Sequence, residues 1–211
     1  MKFKQLLLLA VVATLIFLQS GCTKDDGPPG LNSTNALMSV NATVNGNTYN
    51  MLYGNNSTNG VYPVIGRDTL NLTDTTEYFP YCLLSDTSAA GAGNTLGLTF
   101  GAIIEQGNHA AEPDSGLLYN YFTQAGFSFN QNGTRDVELN IYKKTGNTFQ
   151  LQYHSKGVTQ TGSSFHVGRV SQTYFNGAYV VQITGTFSCT VANNSGATFQ
   201  VTNGSFKFYL N

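Results

Sequence analysis

The side chains that could do chemistry in this sequence are few and widely spaced. Its 211 residues include three cysteines and three histidines. One histidine lies near two carboxylates, so that His109, Glu112 and Asp114 could converge on a cation. Their spacing is not one of the usual metal-ligand spacings, and Pro113 among small residues favours a plain surface loop. We therefore expect no metal site and no cofactor.

Carboxylates are the other candidates for catalysis, because two of them about 5–10 Å apart can serve as acid and base in a hydrolase. The candidates are Glu105, Glu112, Asp114 and Asp136. Asp136 and Glu138 also stand two residues apart, but on what the pattern predicts to be the solvated face of a strand. No Ser-His-Asp, Cys-His or phosphate-loop pattern accompanies them. We expect no catalytic residue and keep a carboxylate-based hydrolase as the alternative.

Cys82 and Cys189 form an even pair if the third cysteine is modified. In an oxidising compartment a disulfide could join them, provided that the fold brings their Cα atoms within about 7 Å. Each could equally be a small buried apolar residue, as free cysteine often is. The spacing leaves both interpretations open.

The third cysteine, Cys22, follows a segment with the order of an export signal. Lys2 and Lys4 supply positive charge, and residues 6–17 form an apolar run interrupted by one threonine. This run is shorter than the roughly 20 apolar residues of a membrane-spanning helix, and a small-residue region follows it. We predict that residues 1–21 are a signal peptide rather than a retained membrane helix.

Ser20-Gly21-Cys22 resembles the lipobox of bacterial lipoproteins, although Gln19 stands where leucine is usual. In that family the thiol is alkylated by diacylglycerol, and the peptide is cut on the amino side of the cysteine. The resemblance implies that Cys22 is lipidated, with fatty acids such as palmitate, and is the first residue of the mature chain. Two or three acyl chains hold a protein stably on a membrane where one does not, so we expect a lipid anchor.

Lys24, Asp25 and Asp26 resemble the Lys-acidic-acidic export signal of surface lipoproteins in one Gram-negative phylum. The resemblance implies an outer-membrane lipoprotein exposed at the cell surface. An ordinary solvated linker is the alternative interpretation of this short motif. Thr69 and Thr75 each follow an aspartate in a triplet that resembles the O-glycosylation acceptor motif of the same phylum, which makes them candidate glycosylation sites.

Composition is typical of a β protein with many tight turns, since charged residues make up only 10% of the chain and glycines number 23. Residues 22–36 lack periodicity and are rich in Gly, Pro, Ser and Asn, which predicts a flexible linker. Without Lys2 and Lys4, eight of the ten Lys and Arg remain against eleven Asp and Glu. With no clustered basic face, we expect no nucleic-acid partner.

From Leu37 onward, alternation of apolar and polar residues predicts antiparallel strands. A type I′ turn at Asn45-Gly46 would pair Ala42 with Tyr49 and Val40 with Met51. Near the other end, one long strand from Tyr179 to Val191 is predicted to turn at Asn194-Ser195-Gly196, pairing Val191 with Phe199 and Cys189 with Val201. A second turn at Asn203-Gly204 would pair Val201 with Phe206 and Phe199 with Phe208.

Residues 117–129 are dense in aromatic side chains. They could be a stacking platform for sugars or a partner, because aromatic rings present flat apolar faces. Tyr119 with Tyr121, and Phe127 with Phe129, show the period of two of a sheet face. We therefore favour core strands here.

The segment Ile183 to Thr190, followed by Val201 to Phe206, resembles the Gly-Thr-Phe strand and the Thr-Asn-Gly-x-Phe closing hairpin of small uncharacterised Gram-negative outer-membrane lipoproteins. Their opening strand is similar to Ala42 to Gly46. We predict one all-β domain at residues 37–211, with about ten mostly antiparallel strands in a sandwich or flattened barrel. The expected function is that of a non-catalytic binding or accessory module, with the membrane, a glycan or an envelope protein as partner.

Overall fold

A computed structural model describes residues 36–54, 61–71, 75–86, 93–106, 115–129, 133–145, 148–175 and 178–210, with residues 36, 61–71, 86 and 175 described by their backbone alone. The described residues form twelve strands: β1 (Ala36–Val44), β2 (Asn47–Gly54), β3 (Val61–Asn71), β4 (Thr75–Asp86), β5 (Asn94–Phe100), β6 (Ile103–Gln106), β7 (Ser128–Phe129), β8 (Asp136–Thr145), β9 (Thr148–His154), β10 (Ser164–Phe175), β11 (Ala178–Asn193) and β12 (Thr198–Leu210). They also form one helix, α1 (Ser115–Thr123).

The strands join one mostly antiparallel sheet in the order β2-β1-β12-β11-β9-β8-β5-β4-β3. Off this path, β10 pairs with β11, β6 with β4, and β7 runs parallel to β8. Among the described strands the two ends of the path, β2 and β3, are not hydrogen-bonded to each other, so the sheet stays open. It folds over, and β2 and β12 pack across β4. The all-β sandwich predicted from the sequence is confirmed.

The core lies between the two halves of the folded sheet and is filled by alternate residues of strands such as β4 and β8. On β8, Val137, Leu139 and Ile141 are buried, whereas the residues between them are only partly covered. This is the alternation expected of a strand with one face on the core and one toward solvent. At one end of the core, the ring of Phe100 lies 4.9–6.1 Å from three other phenylalanine rings in edge-to-face contacts.

The first predicted hairpin is confirmed in its register. β1 pairs with β2 so that Ala42 faces Tyr49 and Val40 faces Met51. The turn residues Asn45 and Gly46 have φ of 50° and 75°, the left-handed values that a type I′ turn requires. The long strand β11 and the loop after it also follow the prediction, with Cys189 opposite Val201 and Val191 opposite Phe199.

The predicted hairpin at Asn203-Gly204 is wrong, because β12 continues as a single strand through these two residues. Only Asn203 has a left-handed φ, at 54°, whereas a type I′ turn needs two such residues. The pairing registers of both β1 and β11 with β12 shift here, so that β12 carries one extra residue. Asn203-Gly204 is therefore a β-bulge, which bends and twists the strand without ending it. Val201 faces Val44 and Cys189, and does not face Phe206.

The prediction of strands across 117–129 is wrong in its first half, where the chain forms α1. The buried residues of α1 are Leu118, Tyr121 and Phe122, whose spacing of three and four is that of one helix face. That face packs into the aromatic end of the core, and α1 lies against β10 and β11. Within the described ranges, no helix is both long and apolar enough to cross a membrane.

The connection between β9 and β10 closes a gap in the sheet. Pairing of β11 with β10 ends at Ser188, and its pairing with β9 begins at Ala192. Between these points Gln160 takes the place of a strand: its Nε2 donates to Thr190 O at 2.7 Å, and its Oε1 accepts from Thr190 N at 3.0 Å. Nε2 lies also 3.0 Å from Ser155 O. The side-chain amide thus satisfies the N–H and the C=O of Thr190, which neither β9 nor β10 pairs with.

Candidate functional site

An open cleft of about 500 Å³ lies on the outer face of the sheet where β4, β5 and β8 meet. Three carboxylates and one ammonium group stand around it, together with hydroxyl groups and apolar side chains. The lining residues are Glu77, Phe79, Thr99, Phe100, Gly101, Ala102, Ile104, Gly133, Thr134, Asp136, Glu138 and Lys156.

Alternation along the strands places the polar residues on this face. In β4, Glu77 and Phe79 flank Tyr78, which is buried in the core, so they point the other way. In β8, Asp136 and Glu138 flank the buried Val137. Glu138 is the register partner of Thr99 in β5, so the strands bring these side chains together from distant parts of the chain.

The floor of the cleft is the break between β5 and β6, at Gly101 and Ala102. The Gly101 N–H donates to Asp136 O at 2.8 Å, which keeps this segment close to β8. A Cβ on Gly101 would lie 2.4 Å from Gly133 O, so only glycine fits this close approach of two backbones. The Tyr121 hydroxyl of α1 lies 2.8 Å from Gly101 O and 2.7 Å from Thr134 O and shares its proton between them. Thus α1 holds the cleft floor from beneath.

Arg135 fixes α1 in this position. Its guanidinium lies over the rings of Tyr121 and Phe127, 5.5 and 5.2 Å from their centroids. Nη1 donates to Tyr121 O and Gln124 O, both at 3.2 Å, and a second nitrogen bonds to the Gln124 side chain. A cation on the last carbonyls of a helix complements the helix dipole. Burial raises the pKa of Tyr121 well above its usual value; Arg135 opposes this shift and Asp136 adds to it. The hydroxyl therefore stays protonated as a donor.

The cleft carries more negative than positive charge. Lys156 Nζ lies 3.6 Å from Glu138 Oε2, and its side chain is 70% exposed, so the pair is a surface ion pair of small energetic value. Glu138 Oε1 also accepts from Asn140 Nδ2 at 3.1 Å. Lys156 is held near β8 by its neighbour Ser155, whose hydroxyl accepts from Leu139 N at 2.9 Å. With Glu77 and Asp136 beside this pair, the lining favours ligands that bring hydrogen-bond donors or positive charge.

The lining suits the binding of a polar ligand that also has an apolar face. Carboxylate and hydroxyl oxygens accept hydrogen bonds from ligand hydroxyl or amino groups. Phe79 and the 48%-exposed Ile104 offer apolar contact area beside them. Within the part of the chain that the structure describes, no three His, Cys, Asp or Glu side chains are grouped so that they could hold a metal ion.

The carboxylates named from the sequence are only partly brought together. Asp136 and Glu138 are half-buried in the cleft, whereas we expected them to project into water. Glu105 lies on β6 and is not in the lining. Glu112 and Asp114 lie outside the described residues, as does His109.

Sequence reasoning missed Glu77, Phe79 and Lys156. The signal for Glu77 and Phe79 was their alternation with Tyr78, which places both on one face of a strand. The successive pairing of β4 with β5 and of β5 with β8 brings Glu77 and Asp136, which are 59 positions apart in the chain, to one cleft. No local pattern reveals that proximity.

Cys82 and Cys189 are both free and buried, so the disulfide that the sequence allowed is not present in this structure. Cys82 pairs in β4 with residues of β3 and β5, and Cys189 pairs in β11 with Val201 of β12. The sheet order places several strands between β4 and β11. Burial raises the pKa of the Cys189 thiol to about 12 and raises that of Cys82 further. Both are therefore small apolar core residues, the other interpretation that the sequence left open.

The residues predicted for attachment and export, Cys22, Lys24, Asp25 and Asp26, lie outside the described residues. Of the candidate glycosylation sites, Thr69 lies within β3, where only the backbone is described. Thr75 is the first residue of β4 and is half-buried opposite Gln106.

Comparison with known proteins gives no relative from which a function could be transferred. The chain matches no family model, no curated protein and no solved structure. Any functional conclusion therefore depends on the residues of this chain.

Proposed function

We propose that this chain is a membrane-anchored, surface-exposed lipoprotein whose β-sandwich is a non-catalytic binding or accessory module for a glycan or envelope protein. The observation that carries the binding role is the cleft between β4, β5 and β8. It combines oxygen acceptors with apolar surface in a pre-formed concavity, as ligand sites in proteins commonly do. The rigid sheet beneath it would reduce the entropy lost on binding.

The geometry favours a ligand that carries hydroxyl or amino groups. Glu77, Asp136 and Glu138 are acceptors when ionised, so they pair with donors and repel anions. A sugar meets both demands of the cleft, since its hydroxyls donate and its ring carbons present an apolar face to Phe79. A basic or amide-rich segment of an envelope protein would use the same acceptors.

A glycan array combined with affinity capture from intact outer membranes tests the binding role. We expect the full-length protein in detergent to bind a polyhydroxy ligand or an envelope protein. Glu77→Gln with Phe79→Ala should weaken that binding about fivefold or more, as expected for truncating central contacts.

Glu105→Gln is the matched control, because Glu105 is a half-buried acid on β6 outside the cleft lining. It should leave binding unchanged. Recovery of the protein alone, with no array signal, would remove the support for a binding module. Equal binding by the cleft variant and the wild-type protein would remove the cleft from the proposal.

The anchor is tested separately through Cys22. We expect Cys22→Ser to move the protein out of the membrane fraction, because the attachment depends on the acyl chains carried by that residue. Replacing Lys24, Asp25 and Asp26 by alanine should leave membrane partition intact and reduce cleavage by protease added to intact cells. Unchanged partition of Cys22→Ser contradicts the lipoprotein proposal, and unchanged protease sensitivity of the triple variant contradicts the export signal.

The second candidate is a carboxylate-based hydrolase, which the grouping of Glu77, Asp136 and Glu138 around one cleft favours. Two of these acids would then act as acid and base on a glycosidic or similar bond. Incubation of the wild-type protein with the glycans that it binds, followed by mass spectrometry, decides between the two. Cleavage that is lost in Glu138→Gln and Asp136→Asn supports the hydrolase, and recovery of intact glycan supports the binding module.

A further inference from the structure

β10 and the first part of β11 pair as an antiparallel ribbon. Two exposed tyrosines lie side by side near its tip. Tyr174 is 64% exposed and Tyr179 is 72% exposed, and they are direct partners across the two strands. Their ring centroids are 5.3 Å apart and their planes meet at 73°. Two adjoining aromatic surfaces left in water are unusual for a folded domain, and such patches commonly mark interaction sites.

The two tyrosines lie on the same face of the ribbon as the residues that β11 contributes to the core. In β11, Val181 and Ile183 follow Tyr179 on the same face and are fully buried, whereas Tyr179 lies beyond the covered part of the sheet. Two residues before Tyr174 the ribbon contacts α1, where Gln172 Nε2 donates to Ser115 Oγ at 3.3 Å. This bond and the strand pairing fix the backbone that carries the two rings, and the rings contact each other, which lowers the entropic cost of binding.

The ribbon around the pair and the neighbouring helix α1 contain no charged side chain. Neither strand of the ribbon contains an acidic, basic or histidine residue between Val170 and Ile183, and α1, packed beside it, contains none. Anionic lipids and nucleic acids are attracted by Lys and Arg, which are missing here. A charged peptide would likewise find no oppositely charged side chain on the ribbon or on α1. Gln172, a neutral polar side chain on the same strand face as Tyr174, has an amide oxygen that can accept hydrogen bonds from neutral donors.

We propose that the Tyr174–Tyr179 pair is a saccharide-stacking site that takes neutral sugars, separate from the acidic cleft. Two rings at a steep angle form a corner in which one ring covers the apolar face of a pyranose and the other contacts its edge. The phenol hydroxyls at the rim of the corner meet the sugar hydroxyls. At 117–129, where a stacking platform was the less favoured interpretation of the sequence, most aromatic side chains lie in the core, and an exposed pair occurs in β10 and β11 instead.

Affinity electrophoresis of the full-length protein in detergent tests this site, with a neutral glucan, mannan or galactan cast in the gel. We expect at least one of these polymers to retard the wild-type protein. Tyr174→Ala or Tyr179→Ala should raise the apparent dissociation constant about fivefold or more, as for loss of a central aromatic contact. Tyr174→Trp should keep the retardation, because the stacking face remains. The measured quantity is the difference in retardation between the wild-type protein and the tyrosine variants. Because these variants leave the cleft unchanged, the result does not depend on whether the cleft binds a ligand.

Phe149→Ala is the matched control, because Phe149 is an exposed aromatic residue, 44% accessible, on β9. It should leave the retardation unchanged, and all variants should melt at the wild-type temperature since the replaced rings are exposed. The proposal is overturned if no neutral polymer retards the protein or if Tyr174→Ala and Tyr179→Ala migrate like wild type. Stronger tyrosine-dependent retardation by a uronic-acid polymer would overturn the assignment to neutral sugars.

Discussion

Replacing Gln160 by alanine should destabilise the sandwich although the residue belongs to a connection rather than a strand. Its side-chain amide lies beside β11 between Ser188, where the pairing with β10 ends, and Ala192, where the pairing with β9 begins. Gln160→Ala removes the partner of both Thr190 N and Thr190 O. Thr190 is 8% exposed, so water reaches these groups poorly. A third acceptor, Ser155 O, loses the donor Gln160 Nε2 but keeps the Val158 N–H, whose nitrogen lies at 3.3 Å.

The magnitude follows from the two orphaned groups of Thr190. A buried backbone group without a partner costs roughly 1–3 kcal/mol. Gln160 itself is half-buried, so some water can enter the vacated space, and the lower end of that range applies to each group. The expected loss is about 2 kcal/mol in the free energy of unfolding. For a domain of this size that corresponds to a fall of about 4–8 °C in melting temperature.

Urea unfolding followed by circular dichroism measures this loss. Gln200→Ala is the matched control, because Gln200 is an exposed glutamine that donates from Nε2 to the Thr190 hydroxyl at 2.9 Å and contacts the same residue. It should cost about 0.5 kcal/mol or less. If Gln160→Ala and Gln200→Ala differ by less than about 0.5 kcal/mol, then the side-chain amide is not replacing a strand and the reasoning fails.

Three further predictions use other parts of the fold. Gly185→Ala should lower the free energy of unfolding by about 1–3 kcal/mol, because its Cβ would lie 2.2 Å from His166 O and 2.5 Å from the Phe206 ring. In the same urea unfolding, Gly168→Ala should cost much less, because its Cβ would meet nothing nearer than 3.8 Å. Arg135→Lys should lower the melting temperature nearly as much as Arg135→Ala, because an ammonium group lacks the planar fork that contacts two rings and two carbonyls; full recovery by lysine would contradict this. Cys82 and Cys189 should react with a thiol reagent only after unfolding, and the absence of two titratable thiols in the unfolded chain would show that they are bridged.

Local patterns predicted those parts of the fold that depend on local chemistry. Asn45-Gly46 supplies the two left-handed residues that its turn needs, so the register of β1 with β2 follows from the sequence. The loop at Asn194-Ser195-Gly196 behaves in the same way, and there Asn193 Oδ1 accepts from the N–H groups of Ser195 and Ala197. Such turns fix the pairing of neighbouring strands without help from distant residues.

The same reasoning failed where a distant strand decides the outcome. Asn203-Gly204 has turn composition, but β1 and β11 pair with β12 on both sides of it and keep the chain extended. In 115–123 the helical spacing of Leu118, Tyr121 and Phe122 competes with an equally visible period of two. The helix prevails because its buried face fills the aromatic end of the core. The cleft depends on strand order, which no local pattern encodes.

Alkaline pH should reveal how the two thiols contribute to stability. In the folded protein, burial keeps Cys189 protonated up to about pH 12, whereas an unfolded thiol loses its proton near 9.0. Between these pH values the folded state binds one more proton than the unfolded state. The stabilisation of the folded state that results is therefore complete below pH 9 and is lost as the pH rises from 9 to about 12. Its slope is about 1.4 kcal/mol per pH unit, and Cys82 shifts in the same direction.

Urea unfolding at pH 8, 9 and 10 measures that slope. Cys189→Ala should be less stable than wild type at pH 8, because it leaves a smaller side chain in the core, and its stability should fall less steeply with pH. Ser163→Ala serves as a control without a titrating group and should keep the wild-type slope. A Cys189→Ala slope equal to that of wild type would mean that the thiol is ionised in the folded state or already bridged, and either result would contradict the buried, free Cys189 from which the prediction starts.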